Sequence, residues 1–184
     1  MADFTPCYEK MIQLEGGYHL HKIPGDRGGT TYAGIARRRW PSWEGWKKVD
    51  GGQFDPDLTA TVRAFYKKEF WDRIRGDGIK AQGVAWQIFD FSVNAGLKTA
   101  VRMAQRVVGA TPDGIFGDQT FARINAMVQD EKDERIFLLT FSLFKVFRYK
   151  DICLNDDRRH QDTLVSNQKF LCGWINRVQK GLES

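Results

Sequence analysis

The first amphipathic segment of this chain, residues 4–15, ends in an acid that is followed by two glycines. Four residues lie at the i, i+3, i+4, i+7 spacing of one helical face: Tyr8, Met11, Ile12 and Glu15. The first three are apolar, so this face packs inward and carries the acid to the helix end. Gly16 and Gly17 then end the helix, because glycine adopts the left-handed C-cap conformation without steric cost. The segment predicts a helix that presents one carboxyl at the edge of an apolar surface.

The position of Glu15 suits proton transfer. A carboxyl held against apolar surface loses hydration, which disfavours its charged form. A protonated carboxyl can donate to a leaving oxygen, as the general acid of glycoside hydrolysis must. The alternative is a solvated glutamate at a helix end. The spacing alone leaves both interpretations open.

Two sequence blocks follow each other from the end of this helix, separated by a loop. The first reads Glu15-Gly16-Gly17-Tyr18, and after a short loop the second reads Asp26-Arg27-Gly28-Gly29-Thr30-Thr31-Tyr32-Ala33-Gly34-Ile35. Together they resemble the signature of the glycoside hydrolase family 108 lysozymes. These N-acetylmuramidases occur among phage endolysins and bacterial secretion-associated murein hydrolases. The resemblance implies that Glu15 is the catalytic acid, and it implies structural roles for five glycines: Gly16, Gly17, Gly28, Gly29 and Gly34.

The same order of Glu, Asp and Thr is similar to the catalytic trio of phage-type lysozymes, which implies that Asp26 and Thr31 hold the attacking water. Glycoside hydrolysis requires an acid at the leaving oxygen and a base or anion on the other face of the sugar. Asp26 lies in a glycine-rich loop where it would stay hydrated and ionised, whereas Glu15 occupies a drier site. The alternative is an Asx turn in which Asp26 only caps its own loop. Retention and inversion both stay open, and we favour inversion.

Three further residues are expected to contact the substrate: Tyr18, Tyr32 and Asn94. Asn94 has an alternative role as a helix C-cap, since Asn-x-Gly commonly ends helices. Three tryptophans follow the second block: Trp40, Trp43 and Trp46. They either flank a saccharide groove or pack at a helix end, and packing is the favoured interpretation.

A net charge of +5 and a pI near 9.2 favour a polyanionic partner. Nucleic acid, an anionic membrane surface and the bacterial wall, with its peptide carboxylates and teichoic acids, all meet this condition. The densest basic run, Arg37-Arg38-Arg39-Trp40, abuts the lysozyme-like motif, and no recognised nucleic-acid module occurs elsewhere. We therefore expect bacterial peptidoglycan as the partner and no nucleic acid.

The remaining composition argues against a membrane span, a metal and a cofactor. The apolar stretch 136–147 is too short to span a bilayer and contains Lys145, so we expect a central helix buried on nearly every side and no stable membrane insertion. The three cysteines and three histidines are too scattered for a disulfide framework or a metal site, and we expect reduced, buried thiols. Since no basic and apolar leader is present, we expect synthesis in the cytoplasm without a cleavable signal and action on the cell wall.

The pattern predicts a mainly α, lysozyme-like helical fold with a loop-rich catalytic segment and little or no β structure. Asp55-Pro56-Asp57 is a helix start, residues 82–94 form a further helix, and a short hairpin is expected near residues 30–35. We place the catalytic region at residues 1–97 and a helical, peptidoglycan-binding-like region at 98–184. Further resemblances to family 108 at 66–72, 89–96 and 170–177 extend over nearly the whole chain.

The second region contains the run Pro112-Asp113-Gly114-Ile115-Phe116-Gly117-Asp118-Gln119-Thr120. It resembles the Asp-Gly-x-x-Gly-x-x-Thr turn of peptidoglycan-binding helical modules. Asp113-Gly114 and Gly117 are expected to form tight turns, and Asp118 or Thr120 is expected to cap the next helix.

These resemblances imply a muramidase that hydrolyses the β-1,4 bond between N-acetylmuramic acid and N-acetylglucosamine. The nearer alternative is a lytic transglycosylase, which uses the 6-hydroxyl of the muramic acid in place of water. The alternative of another class is a non-catalytic wall-binding or secretion-accessory protein. A phage endolysin released by a holin, a prophage protein and a secretion-system accessory are all compatible with the sequence, and we expect a monomer.

Overall fold

The computed structural model describes residues 1–21, 29–159 and 168–182. Over these ranges the chain has eight α-helices and one small three-stranded sheet, which confirms the predicted mainly α fold class. Its contacts divide it into two compact units. The N-terminal unit is Asp3–Asp77, and the C-terminal unit contains residues 1–2 together with the chain from Gly78 onward.

The elements of the N-terminal unit are short and joined by turns. They are, in order, helix α1 (Phe4–Leu14), strands β1 (Leu20–His21), β2 (Thr31–Tyr32) and β3 (Ile35–Ala36), and helices α2 (Trp46–Asp50) and α3 (Pro56–Tyr66). The strands pair antiparallel in the order β1-β2-β3. Beyond α3 the chain continues as a π-helical segment, Lys67–Trp71, and two 3-10 turns, Asp72–Ile74 and Gly76–Gly78.

Aspartate side chains cap two of these helices. The carboxylate of Asp3 accepts the Thr5 N–H at 2.8 Å at the start of α1. The carboxylate of Asp55 accepts the Leu58 N–H at 2.7 Å, and Pro56 occupies the first helical position of α3, where no N–H is needed. The helix start predicted at Asp55-Pro56 is confirmed.

The core of the N-terminal unit is largely aromatic. The three apolar residues of the α1 face are buried, with exposed fractions of 2%, 0% and 7%: Tyr8, Met11 and Ile12. The ring of Tyr8 lies 6.1 Å from that of Tyr66, and the ring of Phe4 lies 5.5 Å from that of Trp71. The apolar stripe of α1 therefore faces the end of α3 and the π-helical segment.

The C-terminal unit is a bundle of helices around one long element. Its helices are α4 (Gln82–Ala95), α5 (Leu97–Val107), α6 (Asp118–Met127), α7 (Glu131–Arg159) and α8 (Gln168–Leu182). Helix α7 contacts each of the other four, and α4 also packs on α5. The helix predicted at 82–94 is confirmed within one residue. The compact units divide between Asp77 and Gly78, so α4 clusters with the C-terminal helices. The division into regions 1–97 and 98–184 stays a prediction.

The prediction of a central helix buried on nearly every side is wrong for α7. Phe137 and Phe141 are fully buried, whereas Leu139, Leu143 and Phe147 are about half exposed. The partner helices cover one face of α7 and leave the opposite apolar face open. In the described part of the chain, no helix combines the length and apolar character needed to cross a membrane.

The cysteines also differ in part from expectation. Cys7 and Cys153 are buried, as predicted, but Cys172 is exposed on α8. All three are cysteine thiols rather than members of a disulfide.

A polar network lies inside the C-terminal unit. Lys145 is 2% exposed and donates a hydrogen bond to the side-chain oxygen of Gln87. Gln87 in turn donates to the backbone oxygen of Gly181 at 2.6 Å. The ammonium group also lies 5.3 and 5.2 Å from the ring centres of Phe91 and Phe141. Because burial penalises the charged form, the pKa of Lys145 is lowered to about 8.

An ion pair accompanies this network. The guanidinium of Arg177 lies 2.6 Å from the carboxylate of Asp90, and Asp90 is 4% exposed. The two residues come from separate family-like segments, 89–96 and 170–177, that the chain places far apart in sequence. Asp90 partly offsets the effect of burial on the pKa of Lys145, whereas Arg177 adds to it.

The Lys145 network predicts a pH dependence of stability. Between about pH 8 and the ordinary lysine value, the unfolded chain binds more protons at this residue than the folded chain does, so stability should rise with pH. We expect the free energy of unfolding to gain about 1 kcal/mol per pH unit from Lys145 between pH 8 and 10. Above that range, burial of Tyr149, whose pKa is raised to about 12, opposes the effect.

Denaturant titrations from pH 7 to 10 measure this slope. Lys145→Met should remove the Lys145 contribution, whereas Lys132→Met, at an exposed position of the same helix, should preserve it. Equal slopes in Lys145→Met and wild type would show that Lys145 is not the group responsible.

Candidate active site

Glu15 lies at the C-terminal end of α1. It is the C-cap of α1, half-buried, and its N–H bonds to the Met11 carbonyl at 3.0 Å. Gly16 and Gly17 follow with φ values of +86° and +79°, and the Gly17 N–H bonds back to the Ile12 carbonyl at 2.8 Å. The chain thus turns sharply away from the helix directly after Glu15.

A tight hairpin turn approaches the Glu15 carboxyl. Strands β2 and β3 are joined by Ala33 and Gly34, whose φ values of +48° and +77° are those of a type I′ turn. A Cβ at Gly34 would lie 3.1 Å from the Oε2 of Glu15 and 2.6 Å from the hydroxyl of Tyr66. Residue 34 must therefore be glycine for two reasons, its backbone conformation and the space available.

Tyrosine hydroxyls surround this contact. The Tyr66 hydroxyl donates to the Ala33 carbonyl at 2.8 Å, which ties the hairpin turn to the end of α3. The Tyr8 and Tyr18 hydroxyls are 2.8 Å apart. Burial, followed by the bond to Tyr18, raises the pKa of Tyr8 well above its ordinary value, so this hydroxyl stays protonated. Hydroxyl groups thus border the site.

The predicted residues on the hairpin lie in the same unit as Glu15. Thr31 is half-buried on β2 and pairs with His21 and Ala36. Tyr18 is 37% exposed and is accessible to a ligand. Tyr32 is only 3% exposed, and its ring stacks 6.4 Å from that of Trp43. Tyr32 is thus a core residue here, and its contact with substrate stays a prediction.

The other predicted site residues fall elsewhere. Asp26 and Gly28 lie outside the described residues. Gly29 is exposed and has a φ of +76°. Asn94 belongs to the C-terminal unit, where it is exposed in the last turn of α4. The C-cap of α4 is Gly96 rather than Asn94, so the alternative capping role is not observed.

An aromatic cavity of about 510 Å³ also lies in the N-terminal unit. Trp40, Trp43 and Phe65 line it, with charged side chains at its edge. The indole N–H of Trp43 is buried and has no hydrogen-bond partner within residues 1–21, 29–159 and 168–182. Trp46, by contrast, is 5% exposed, and its indole N–H donates to the Trp40 carbonyl at 2.7 Å. The tryptophan cluster therefore both packs and borders an open cavity.

The basic run beside these tryptophans is partly neutralised. Arg37 pairs with Asp50 at 2.7 Å, and its guanidinium lies 4.4 Å from the ring centre of Trp46. Arg37 thus serves local structure, which weakens the run as a nucleic-acid surface.

A buried glutamine organises the turn predicted in the C-terminal region. Gln105 is 1% exposed, and its Nε2 lies 2.8 Å from the Asp113 carboxylate, 3.0 Å from the Ile115 carbonyl and 3.0 Å from the Thr120 hydroxyl. Its Oε1 accepts the Gly114 N–H at 2.9 Å. Hydrogen bonds from the Ile115 N–H and then from Gln105 lower the pKa of Asp113. Sequence reasoning assigned no role to Gln105, because this contact depends on a loop returning to α5.

Glycines complete the same turn. Gly114 has a φ of +83°, and a Cβ there would lie 2.6 Å from the Cγ of Lys98. Gly117 is the N-cap of α6, and Asp118 is the first helical residue. The expected side-chain cap is therefore replaced by a glycine, because the Thr120 hydroxyl is buried beside Gln105. The glycines and the Gln105 hydrogen bonds therefore give this turn a structural role.

Across the described ranges, no group of three or more His, Cys, Asp and Glu side chains is placed to hold a metal ion. The candidate site consists of carboxyl and hydroxyl groups.

Comparisons with known proteins agree with this arrangement. Residues 8–96 match the family model Glycosyl hydrolase 108, and residues 99–179 match the Predicted Peptidoglycan domain. The solved structure of Brucella abortus SagA has 26% sequence identity and a TM-score of 0.70, covering 98% of this chain and 91% of that chain. No curated protein matches the chain.

The N-terminal region is therefore of the glycosyl hydrolase 108 family, and the C-terminal region matches a predicted peptidoglycan domain. The two matches together support a glycoside hydrolase that acts on peptidoglycan. The resemblance stated from the sequence is confirmed. Glu15, Tyr66 and the hairpin turn all fall within the family-matched residues 8–96.

The Gly34 contact predicts a specific mutational effect. Gly34→Ala should lower the rate of peptidoglycan hydrolysis about 10- to 100-fold, because a methyl group would displace the Glu15 carboxyl or the Tyr66 hydroxyl. Gly52→Ala is the matched control, since Gly52 has a φ of +68° but open space around its Cβ position. Both variants should lose about 1–2 kcal/mol from backbone strain. Hydrolysis rates and thermal unfolding are measured for both variants. Equal rates in the two variants would contradict a positioning role for Gly34.

Proposed function

We propose that this protein is a lysozyme of the N-acetylmuramidase type, which hydrolyses the β-1,4 bond between N-acetylmuramic acid and N-acetylglucosamine. Glu15 is the general acid that protonates the leaving oxygen. Asp26 and Thr31 position the water that attacks the anomeric carbon. The proposal rests on the half-buried carboxyl of Glu15, held between the end of α1 and the hairpin turn inside a region of glycosyl hydrolase 108.

The environment of Glu15 supports the role of proton donor. Its Oε2 lies close to the backbone of Gly34, and the Tyr66 hydroxyl lies beside the same glycine. A carboxyl held in a defined position between two backbone elements can be presented to a leaving oxygen in a productive geometry. Burial keeps the Tyr8 hydroxyl of this unit protonated, so it adds no negative charge.

The division of labour follows from the reaction. A glycosidic bond breaks through an oxocarbenium-like transition state, with acid assistance on one face and an anion or activated water on the other. Asp26 lies in a glycine-rich segment of the family signature, and Thr31 follows it on β2. Direct attack by water inverts the anomeric configuration, and this is the outcome that we propose.

The aromatic cavity gives the glycan a second surface in this unit. Indole faces pack against the C–H faces of sugars. The N–H of Trp43, which lacks an acceptor in the part of the chain that the structure describes, can donate to a sugar hydroxyl or an acetamido oxygen. We propose that the protein acts as a monomer at the wall, and that it reaches the wall by holin-dependent release or through a secretion system.

Glu15→Gln tests the proton donor. The amide is nearly isosteric but cannot donate the proton, so soluble products from purified peptidoglycan should disappear while the fold is kept. Glu9→Gln, at an exposed position of the same helix, is the matched control and should retain wild-type activity. Mass spectrometry of the products reports the reaction.

Each product identifies one reaction. Reducing ends at N-acetylmuramic acid that depend on Glu15 support the muramidase. Anhydro ends would make the protein a lytic transglycosylase that uses the same glutamate. Wall binding without products from wild type would make it a binding protein, and unchanged activity in Glu15→Gln would remove Glu15 from the mechanism.

Asp26→Asn tests the water-positioning role. We expect the hydrolysis rate to fall about 10²–10⁴-fold, the usual contribution of one general acid–base group. Asp57→Asn is the control, because Asp57 is an exposed aspartate of the same unit. The configuration of the newly released reducing end, followed by NMR, distinguishes inversion from retention. A wild-type rate in Asp26→Asn would assign this residue to turn structure.

A further inference from the structure

A second pocket lies inside the C-terminal unit, between α5 and α7. It has a volume of about 260 Å³. Helix α5 contributes Arg102 and Arg106 one turn apart, and α7 contributes Arg148 together with Phe144. The lining residues all lie within the part of the chain that matches the Predicted Peptidoglycan domain.

The pocket is electropositive. Three guanidinium groups line it, against one carboxylate, that of Asp151. Asp151 lies 3.7 Å from the ammonium group of Lys150 and pairs with it. Among the side chains that the structure describes, none forms a salt bridge with Arg102, Arg106 or Arg148. Three positive charges beside a single carboxylate repel each other, and an anion bound between them relieves the repulsion.

Arg148 provides the second observation. Its Nε is buried and has no hydrogen-bond partner among the described residues. A buried donor without an acceptor is unfavourable, so it marks a place where a ligand atom would be stabilised. The Nε–H and a terminal N–H of a guanidinium bind the two oxygens of a carboxylate in parallel. The free Nε of Arg148 therefore fits a carboxylate better than it fits a neutral group.

The rest of the pocket restricts the ligand further. Met103 and Phe144 give it apolar surface beside the arginines. Its volume is below the range of about 300–1,000 Å³ that is typical for drug-sized ligands. A disaccharide has neither the charge nor the size for this place. A small aliphatic residue that ends in a carboxylate has both.

We propose that this pocket binds a free carboxylate of the peptide stems of peptidoglycan, with Arg148 as the bidentate partner and Arg102 and Arg106 as supporting charges. The inference rests on the proposed function, because it assumes peptidoglycan as the substrate. It assigns the peptide part of the substrate to the C-terminal unit and the glycan part to the N-terminal unit. Stem peptides combine alanine methyl groups with carboxylates, which matches the apolar and cationic surfaces of the pocket.

Calorimetric titration of the full-length protein tests the proposal. The probe is a synthetic stem pentapeptide with free carboxylates, compared with the same peptide amidated at every carboxyl and with inorganic phosphate. We expect binding of the free peptide, at least about tenfold weaker binding of the amidated peptide, and weaker binding of phosphate.

Three variants assign the site. Arg148→Gln should weaken binding of the free peptide about tenfold or more, and the pair Arg102→Gln and Arg106→Gln should weaken it independently of Arg148. Arg135→Gln, at an exposed position of α7 outside the pocket, is the matched control and should bind as wild type does. Circular dichroism and thermal unfolding verify the fold of each variant.

The proposal is overturned if Arg148→Gln and the double variant bind the peptide as wild type does, if the amidated peptide binds equally well, or if phosphate binds more tightly than the peptide. Hydrolysis of peptide-free glycan by wild type is measured in parallel. Hydrolysis without peptide binding would remove this inference and leave the proposed function intact. Peptide binding without hydrolysis would support this pocket and contradict the proposed function.

Discussion

The contact between the β2–β3 turn and the end of α1 is the constraint on which the candidate active site depends. The turn approaches the Glu15 carboxyl because residue 34 has no Cβ, and Tyr66 holds the turn in place through its bond to the Ala33 carbonyl. Tyr66 is itself fully buried in the aromatic core. Neither side of the contact can move freely, so a residue at a helix end acquires a defined position. Catalytic groups require this kind of support from their surroundings.

The C-terminal unit relies on buried polar side chains for the same kind of definition. Gln105 gathers the turn around Asp113, and the Asp90–Arg177 pair joins α4 to α8. Buried polar groups must be hydrogen-bonded, so such networks tolerate few alternative arrangements. Gln105 lies on α5, which is one of the two helices that line the arginine pocket. In the two proposals made above, glycan chemistry and peptide recognition fall to different units of one chain.

The elements that the sequence predicted correctly all have local signals. The α1 face follows from periodicity, the end of α1 from paired glycines, and the start of α3 from Asp55-Pro56. The incorrect predictions concern burial, which depends on contacts with distant parts of the chain. The composition of 136–147 contains no information on which side of α7 the other helices cover, so an exposed apolar face was unexpected. Gln105 was overlooked because a buried glutamine and an exposed one look the same in a sequence.

The sequence by itself determined the family, the mainly helical class and the identity of Glu15 as the candidate acid, because glycine-rich motifs and helical periodicity are properties of neighbouring residues. Only the tertiary structure decided that Gly34 and Tyr66 border that acid, that Asp90 meets Arg177, and that three arginines share a pocket. These contacts join residues that are distant along the chain. Their formation depends on how the helices pack, and packing is fixed by the shapes of whole surfaces rather than by any short stretch of residues.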